Sequence, residues 1–288
     1  MNQHPASNPP SPFDSLQIGV ARFLSAPLRM LPHFIIIGVQ KAGTSSLYNY
    51  LSQHPCIYPA CTKEVHYFDL NFSRGLTWYR SHFPLQLKAH YQTLFKQQKF
   101  LTGEASPYYI FHPLVAERVA QIVPNVKLIV LLRNPVDRAY SHYQHEFKLG
   151  FETILSFEEA IAKEEERLAE EADKIGENPS YNSFNYQHYS YLSRGIYLPQ
   201  IEKWQQFFKP EQILILAMDD LLTYPKILYK KTLDFLELPE WFPQKFKKYN
   251  RNQYSSLNPE TRQKLVDYFR PHNQRLYEYL GVRYDWEQ

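Results

Sequence analysis

Four consecutive apolar residues, Phe34-Ile-Ile-Ile37, run into a turn that holds Gly38, Lys41, Gly43 and Thr44, after which Leu47, Tyr50 and Leu51 recur at helical spacing. A short run that is apolar at every position fits a strand buried on both faces, and the change of period beyond the turn marks a helix. Glycines in such a turn let backbone N–H groups close on an anion, and the start of the helix adds its partial positive charge. The segment is therefore expected to cradle a phosphate between Lys41, Ala42, Gly43, Thr44, Ser45 and Ser46.

The turn departs from the nucleoside-triphosphate P-loop in an informative place. In G-x-x-x-x-G-K-[ST] the lysine follows the second glycine, whereas Lys41 precedes Gly43 here. A nucleotide hydrolase or kinase also needs a carboxylate at a neighbouring strand end to help hold Mg²⁺. The best candidate strand, Val126 to Leu132, ends instead in Arg133-Asn-Pro135, and an arginine attracts anions and repels a metal. Further apolar runs at Cys56 to Tyr58 and Gln212 to Met218, separated by helical patterns, predict a P-loop-like α/β fold, a central parallel sheet flanked by helices on both faces. Ligands of such sheets lie beyond the carboxyl ends of the strands, the edge that Lys41 and Arg133 would share. Asn134 as N-cap and Pro135 at the first helical position open the next helix, with Ser141 two turns along it.

Two of these segments carry a family resemblance. Gly38-Val-Gln-Lys-Ala-Gly-Thr-Ser45 resembles the 5′-phosphosulfate loop of sulfotransferases that use 3′-phosphoadenosine 5′-phosphosulfate (PAPS). Leu128-Ile-Val-Leu-Leu-Arg-Asn-Pro-Val-Asp-Arg-Ala-Tyr-Ser141 is similar to their 3′-phosphate motif. The likeness continues through Lys63-Glu-Val-His-Tyr-Phe-Asp69, Gly103-Glu-Ala-Ser-Pro-Tyr-Tyr109 and Ser193-Arg-Gly-Ile-Tyr197, in the style of the heparan-sulfate-type branch and its bacterial relatives. It implies that Lys41 stabilises the departing phosphate and that Arg133 and Ser141 bind the 3′-phosphate. It also implies that Arg194, Gly195 and Arg251 help line the nucleotide pocket, and that no metal is required. The glutamate of the Glu-Val-His-Tyr-Phe stretch, Glu64, is the implied general base, with His66 orienting the acceptor or sharing the proton and Glu104 as the alternative base. The chain departs from the branch at Ala105, where relatives often have lysine, and in Lys247 to Tyr254, which lacks the glycine of their basic C-terminal loop.

Bulk properties bound the reading. A chain of 288 residues suits one sulfotransferase domain over 32–288, with residues 1–31, rich in proline at the start, as a disordered or loosely packed leader. A net charge of only +3 lacks the excess expected of a nucleic-acid binder, so any anion site is local. Cys56 and Cys61 cannot form a disulfide framework, and the sequence shows neither a transmembrane run nor a signal peptide, so a cytoplasmic setting is expected. An aromatic share of 16% suits a cleft that stacks on rings or sugars, and a carbohydrate or small-molecule acceptor is expected.

The remaining features read more plainly. Phe151 to Asn178, dense in glutamate, is expected to be a solvated helix at the rim, and Pro259 to Leu280 a final packed helix. Asp137 and Arg138 read as a local helical pair. His142, His145 and Glu146 match no zinc motif and read as surface polar residues, while Cys56, Cys61 and His66 are too irregular for a zinc site. Two other functions remain open to the residues alone, a P-loop small-molecule kinase and a non-catalytic carbohydrate-binding protein.

Overall fold

The computed structural model describes residues 19–246 and 255–287. Four parallel strands form one sheet in the order β2-β1-β3-β4, with β1 Phe34–Gly38, β2 Gly103–Ala105, β3 Lys127–Leu132 and β4 Ile213–Ala217. Phe34 pairs with Gly103 on one side and with Lys127 on the other, and Leu128 pairs with Ile213. All five residues of β1 are buried, as a strand covered on both faces must be. The core runs from that strand through Leu47 and Leu51 to Val119, Ile129, Leu131 and Trp204.

The second strand is not where the sequence suggested. Cys56 to Tyr58 contributes one isolated bridge, Ile57 to Leu101, and the sheet position beside β1 belongs to Gly103–Ala105. Glycine and glutamate hide that strand from any apolar pattern. Gly103 is required there, since an added Cβ would lie 2.5 Å from the Phe34 carbonyl oxygen. Phe151 to Asn178 is likewise not one solvated helix. It breaks into Phe157–Ala162, Glu164–Leu168 and Glu171–Glu177, because Glu152, Glu164 and Glu171 turn inward to backbone and hydroxyl partners.

Residues 19–31 form a short helix and a 3-10 turn against the helix Gly75–Ser81. Arg22 donates to the carbonyls of Ser81 and His82 at 2.9 Å and Arg29 to that of Phe83 at 2.7 Å. Among the described residues no helix is long and apolar enough to cross a membrane.

Candidate active site

Strand order decides where the site lies. From β1 the chain adds β2 on one side and then crosses to β3 on the other, so the loops after β1 and β3 part from neighbouring strand ends and leave a crevice between them. Those loops carry Lys41 and Arg133, and Arg133 Nη1 donates to the Lys41 carbonyl at 2.8 Å. The two predicted anion-binding cations therefore share one cleft of about 580 Å³, which Thr44, Ser45, Ser46 and Ser141 also line.

Local geometry explains each element. Gly43 caps the helix Thr44–Leu51 in the left-handed region at φ 87, a conformation that glycine adopts without penalty. Ser46 and Leu47 return their N–H groups to the Gly43 carbonyl, so the amides of Thr44 and Ser45 ahead of them are those a helix start offers to an anion. Asn134 caps the helix Pro135–Leu149 by accepting from Val136 and Asp137, and the Arg133 carbonyl is pinned by the Tyr197 hydroxyl at 2.7 Å. Ala42 is buried, its N–H turned to the Val39 carbonyl, and does not line the cleft.

Glu64 and His66 line the same cleft from a loop of unusual backbone. Lys41, Glu64 and His66 have φ values of 72, 60 and 51, so three left-handed non-glycine residues converge on one site. The loop rests on a buried polar floor. Glu104 accepts from Tyr79 at 2.7 Å, Ser106 at 2.8 Å and Tyr109 at 3.2 Å, while Ser106 Oγ and the Tyr109 hydroxyl accept from the backbone of His66 and Tyr67. Burial pushes the Glu104 carboxyl up to about 7 against these hydrogen bonds. Glu104 is wholly buried and outside the cleft lining, and through these hydrogen bonds it supports the loop that holds Glu64.

The loop is a charge relay in the ordinary electrostatic sense. His66 Nδ1 lies 2.7 Å from Asp69 Oδ2 and its Nε2 lies 3.5 Å from Glu64 Oε2, while Lys63 pairs with the other Glu64 oxygen. Burial alone would discharge His66, but the Asp69 and Glu64 carboxylates outweigh it and raise the imidazole to about 10. Burial works against Glu64 too, and the His66 hydrogen bond with the Lys63 charge holds it down at about 2. Lys41 is lowered to about 8 by burial and by Arg133, with Glu146 and Glu64 opposing.

Other expectations divide. Arg194 lines the cleft, yet its guanidinium is already engaged. Nη1 donates to Gln40 at 2.6 Å, Nη2 to the carbonyls of Tyr186 and Gln187, and the group lies over the Tyr108 ring at 4.5 Å. It braces the loop after β1 from behind. Gly195 faces the helices instead, since an added Cβ would come within 2.8 Å of the Phe269 ring. Arg251 lies outside the described residues. Asp137 and Arg138 are not a pair, for Asp137 binds Arg262 whereas Arg138 is fully buried and donates to the Tyr191 carbonyl.

His142 and Glu146 are not surface residues either. Both are buried, and Glu146 lies 3.2 Å from His142 and 2.7 Å from His188. His145, Glu146 and His188 line the cleft, three residues that the sequence reading missed as site components. His145 stands four positions after Ser141 on one helix and was findable from that spacing; His188 comes from a distant segment and was not. Among the described residues no cluster of three His, Cys, Asp or Glu could hold a metal ion, and Cys56 and Cys61 are free thiols.

Comparison with known proteins bears on this geometry. A family model described as "Sulfotransferase domain" matches residues 31–286. The chain is similar to the membrane-associated sulfotransferase kil1 of Dictyostelium discoideum, 29% identical over 90% of this chain and 67% of that protein. It is similar to the heparan sulfate glucosamine 3-O-sulfotransferase 5 of Mus musculus, 27% identical over 90% of this chain and 75% of that one. Among solved structures, a sulfotransferase from Alicyclobacillus acidocaldarius superposes with a TM-score of 0.67 at 30% identity, covering 90% of this chain and 100% of its own.

Proposed function

Because this chain belongs to the sulfotransferase domain family, whose members transfer a sulfuryl group from a donor, we propose that its donor is PAPS and its acceptor a hydroxyl, less often an amine, of a carbohydrate or small metabolite. One observation carries the reading. The hydrogen bond from Arg133 to the Lys41 carbonyl joins two anion-binding groups across a cleft that Glu64 also lines. The donor set fits a nucleotide with phosphates at both ends of its sugar. The Lys41 ammonium and the amides of Thr44 and Ser45 serve one anionic end, and the planar fork of Arg133 with the Ser141 hydroxyl serves the other.

When bound, PAPS supplies an activated sulfuryl group whose bond to the 5′-phosphate oxygen breaks as a bond from sulfur to the acceptor oxygen forms. Negative charge then grows on the departing phosphate, where Lys41 is the fixed cation that stabilises it. The acceptor proton passes to Glu64, which Lys63 and His66 keep ionised at neutral pH as a general base must be. His66, held by Asp69 on its far side, keeps the Glu64 carboxylate aimed into the cleft. The similar proteins include both heparan sulfate glucosamine 3-O-sulfotransferases and heparan sulfate N-deacetylase/N-sulfotransferases, so hydroxyl and amine acceptors both have precedent among them.

The test is sulfate transfer from labelled PAPS in the presence of a chelator, alongside thermal stabilisation by adenosine 3′,5′-bisphosphate. Glu64→Gln is expected to lower turnover by about 10²–10⁴-fold while keeping the stabilisation, and Lys41→Ala to damage both. Undiminished turnover in Glu64→Gln, or a requirement for Mg²⁺, would refute the assignment.

A further inference from the structure

A second wall of the cleft has a chemistry of its own. Pro107, Tyr108, Leu149, Phe151 and His188 line it, with the Glu146 carboxylate set among them. Burial opposes the charge on Glu146, yet the hydrogen bonds of His142 and His188 keep its carboxyl well below the usual range, so this wall carries a negative charge at neutral pH. At the mouth the side chains form an aromatic lip of tilted and edge-on rings. Phe151 lies 4.5 Å from the His188 ring and 5.8 Å from Phe184, and Phe184 lies 4.3 Å from His188. These rings remain open to solvent, Phe151 by 40% and Phe184 by 45%, and Leu149 beside them by 52%. His188 is held by Glu146, so the lip is fixed from below.

The chain between the two phenylalanines adds a field. From Phe151 to Asn178 there are ten Asp and Glu residues against three Lys and Arg, in a protein whose total is +3. Glu165, Glu166, Glu170, Asp173 and Glu177 are exposed. The short helices that bear them, Glu164–Leu168 and Glu171–Glu177, pack on the helix Phe184–His188 that presents half of the lip. Among the described residues lining the cleft, the Lys and Arg are Lys41, Arg133 and Arg194, two of them at the anion end and the third bound to Gln40 and backbone carbonyls. Arg167, close to the lip, lies over the Tyr189 ring and is paired with Glu152. A polyanionic chain approaching this mouth would meet the like charge of the acidic helices, whereas apolar faces find rings to pack on.

We propose that, within the sulfotransferase reading on which this rests, the acceptor is an uncharged hydroxyl compound that lays an apolar face on Phe151 and Phe184, and not a polyanionic polysaccharide. Phe151 and Phe184 are the residues that set this preference. His188 with Glu146 positions them, and the acidic helices exclude anions from the mouth. The preference differs from the acceptor named for the heparan sulfate relatives, and it arises in the segment from Phe151 to His188 rather than in the donor cradle.

A matched pair of probes isolates charge, phenyl β-glucuronide and its methyl ester, which share every hydroxyl and the ring and differ by one carboxylate. With the full chain, the ester is expected to show a KM, or a Kd by titration where turnover is slow, about tenfold lower than the acid at low ionic strength, and the gap should narrow as salt screens the mouth. Phe151→Ala and Phe184→Ala should each raise KM for the ester about threefold to tenfold with kcat little changed, because a stacking contact made before and during reaction affects binding alone. Phe151→Leu, which keeps apolar area, should recover part of the loss. The exposed pair Glu165→Lys with Glu166→Lys should shrink the advantage of the ester. Equal or better handling of the acid, or phenylalanine variants that leave both constants for the ester unchanged, overturns the proposal. Stabilisation by adenosine 3′,5′-bisphosphate is measured on the same samples. Its absence would strike the donor assignment, while its persistence beside a preference for the acid would strike the acceptor assignment alone.

Discussion

Replacing Asp69 by Asn tests whether the loop beneath the acceptor works by electrostatics. The substitution keeps an acceptor for the Leu70 N–H, now 2.7 Å from Asp69 Oδ1, and removes the charge facing His66 Nδ1 at 2.7 Å. A rise of the imidazole from 6.5 to about 10 corresponds to ~5 kcal/mol of preference for the cation, at about 1.36 kcal/mol per pKa unit. Apart from burial, which opposes the rise, Asp69 is its largest cause and Glu64 the lesser, so Asp69→Asn should return His66 to near or below neutrality. The sign follows from linkage. A histidine raised in the folded state contributes stability that is fully present below pH 6.5 and lost as pH climbs through 10, so the wild type should lose ~3–4 kcal/mol more than Asp69→Asn between pH 6.5 and 9.5. Urea unfolding at the two pH values measures that difference, and an NMR titration of the His66 ring, assigned against His66→Gln, measures the cause. A wild-type His66 that titrates near 6.5, or a titration unmoved by Asp69→Asn, would show the relay to be wrong.

Further outcomes separate donor binding from scaffolding. Lys41 sits at about 8 in the free protein, and a bound phosphate would stabilise its charged form. Binding of adenosine 3′,5′-bisphosphate near pH 8 should therefore take up protons, seen as buffer-dependent heat in calorimetry, and affinity should fall above that pH. Gly195→Ala would force a Cβ to within 2.8 Å of Phe269 and should cost about 1–3 kcal/mol in urea unfolding with nucleotide affinity little changed, whereas a cofactor contact would show the reverse. Glu104→Ala strands the hydroxyls of Tyr79, Ser106 and Tyr109, at about 1–3 kcal/mol for each buried donor, and Glu104→Gln should cost less. A carboxyl raised from 4.5 to about 7 in the fold subtracts stability as pH rises through that window, so Glu104→Gln should also flatten the decline of unfolding free energy between pH 4.5 and 7.

What the sequence revealed follows from how local each signal is. The cradle, the strand Lys127–Leu132 and the capped helix after Asn134 are each written in a few adjacent residues, and the sheet order then forces Lys41 and Arg133 into one crevice. Strand Gly103–Ala105 was hidden because Glu104, a charged residue in a buried strand, is intelligible only once Tyr79, Ser106 and Tyr109 are known to surround it. The same holds for Glu146, which reads as a surface glutamate until His188, forty-two positions away, is found at 2.7 Å. Arg194 shows the converse. Its motif marked it as a ligand residue, and the structure shows what the motif could not, that its two terminal nitrogens donate to the carbonyls of Tyr186 and Gln187 and the amide oxygen of Gln40.

The division between legible and hidden residues matches the division of labour proposed for the cleft. The proposed donor site uses backbone amides and strand-end cations, which short motifs specify and which the fold must place together. The proposed acceptor wall uses side chains from the segment between Phe151 and His188, where buried glutamates join the apolar cluster around Phe157 and Tyr191 as organising contacts. A buried carboxylate that caps backbone amides fixes a loop as firmly as an apolar anchor, but leaves no periodic pattern behind. Glu164 illustrates the point, since its two oxygens take the N–H groups of Leu192 and Ser193 at 2.6 and 2.8 Å and so hold the turn that carries Arg194. Replacing Glu164 by Gln would leave one of those amides facing an N–H₂ group. The expected result is a loosened Arg194 turn, read as faster amide hydrogen exchange from Tyr186 to Gly195 with exchange in β1 and β3 unchanged. Exchange that stayed slow in that window would mean the turn is held by packing alone.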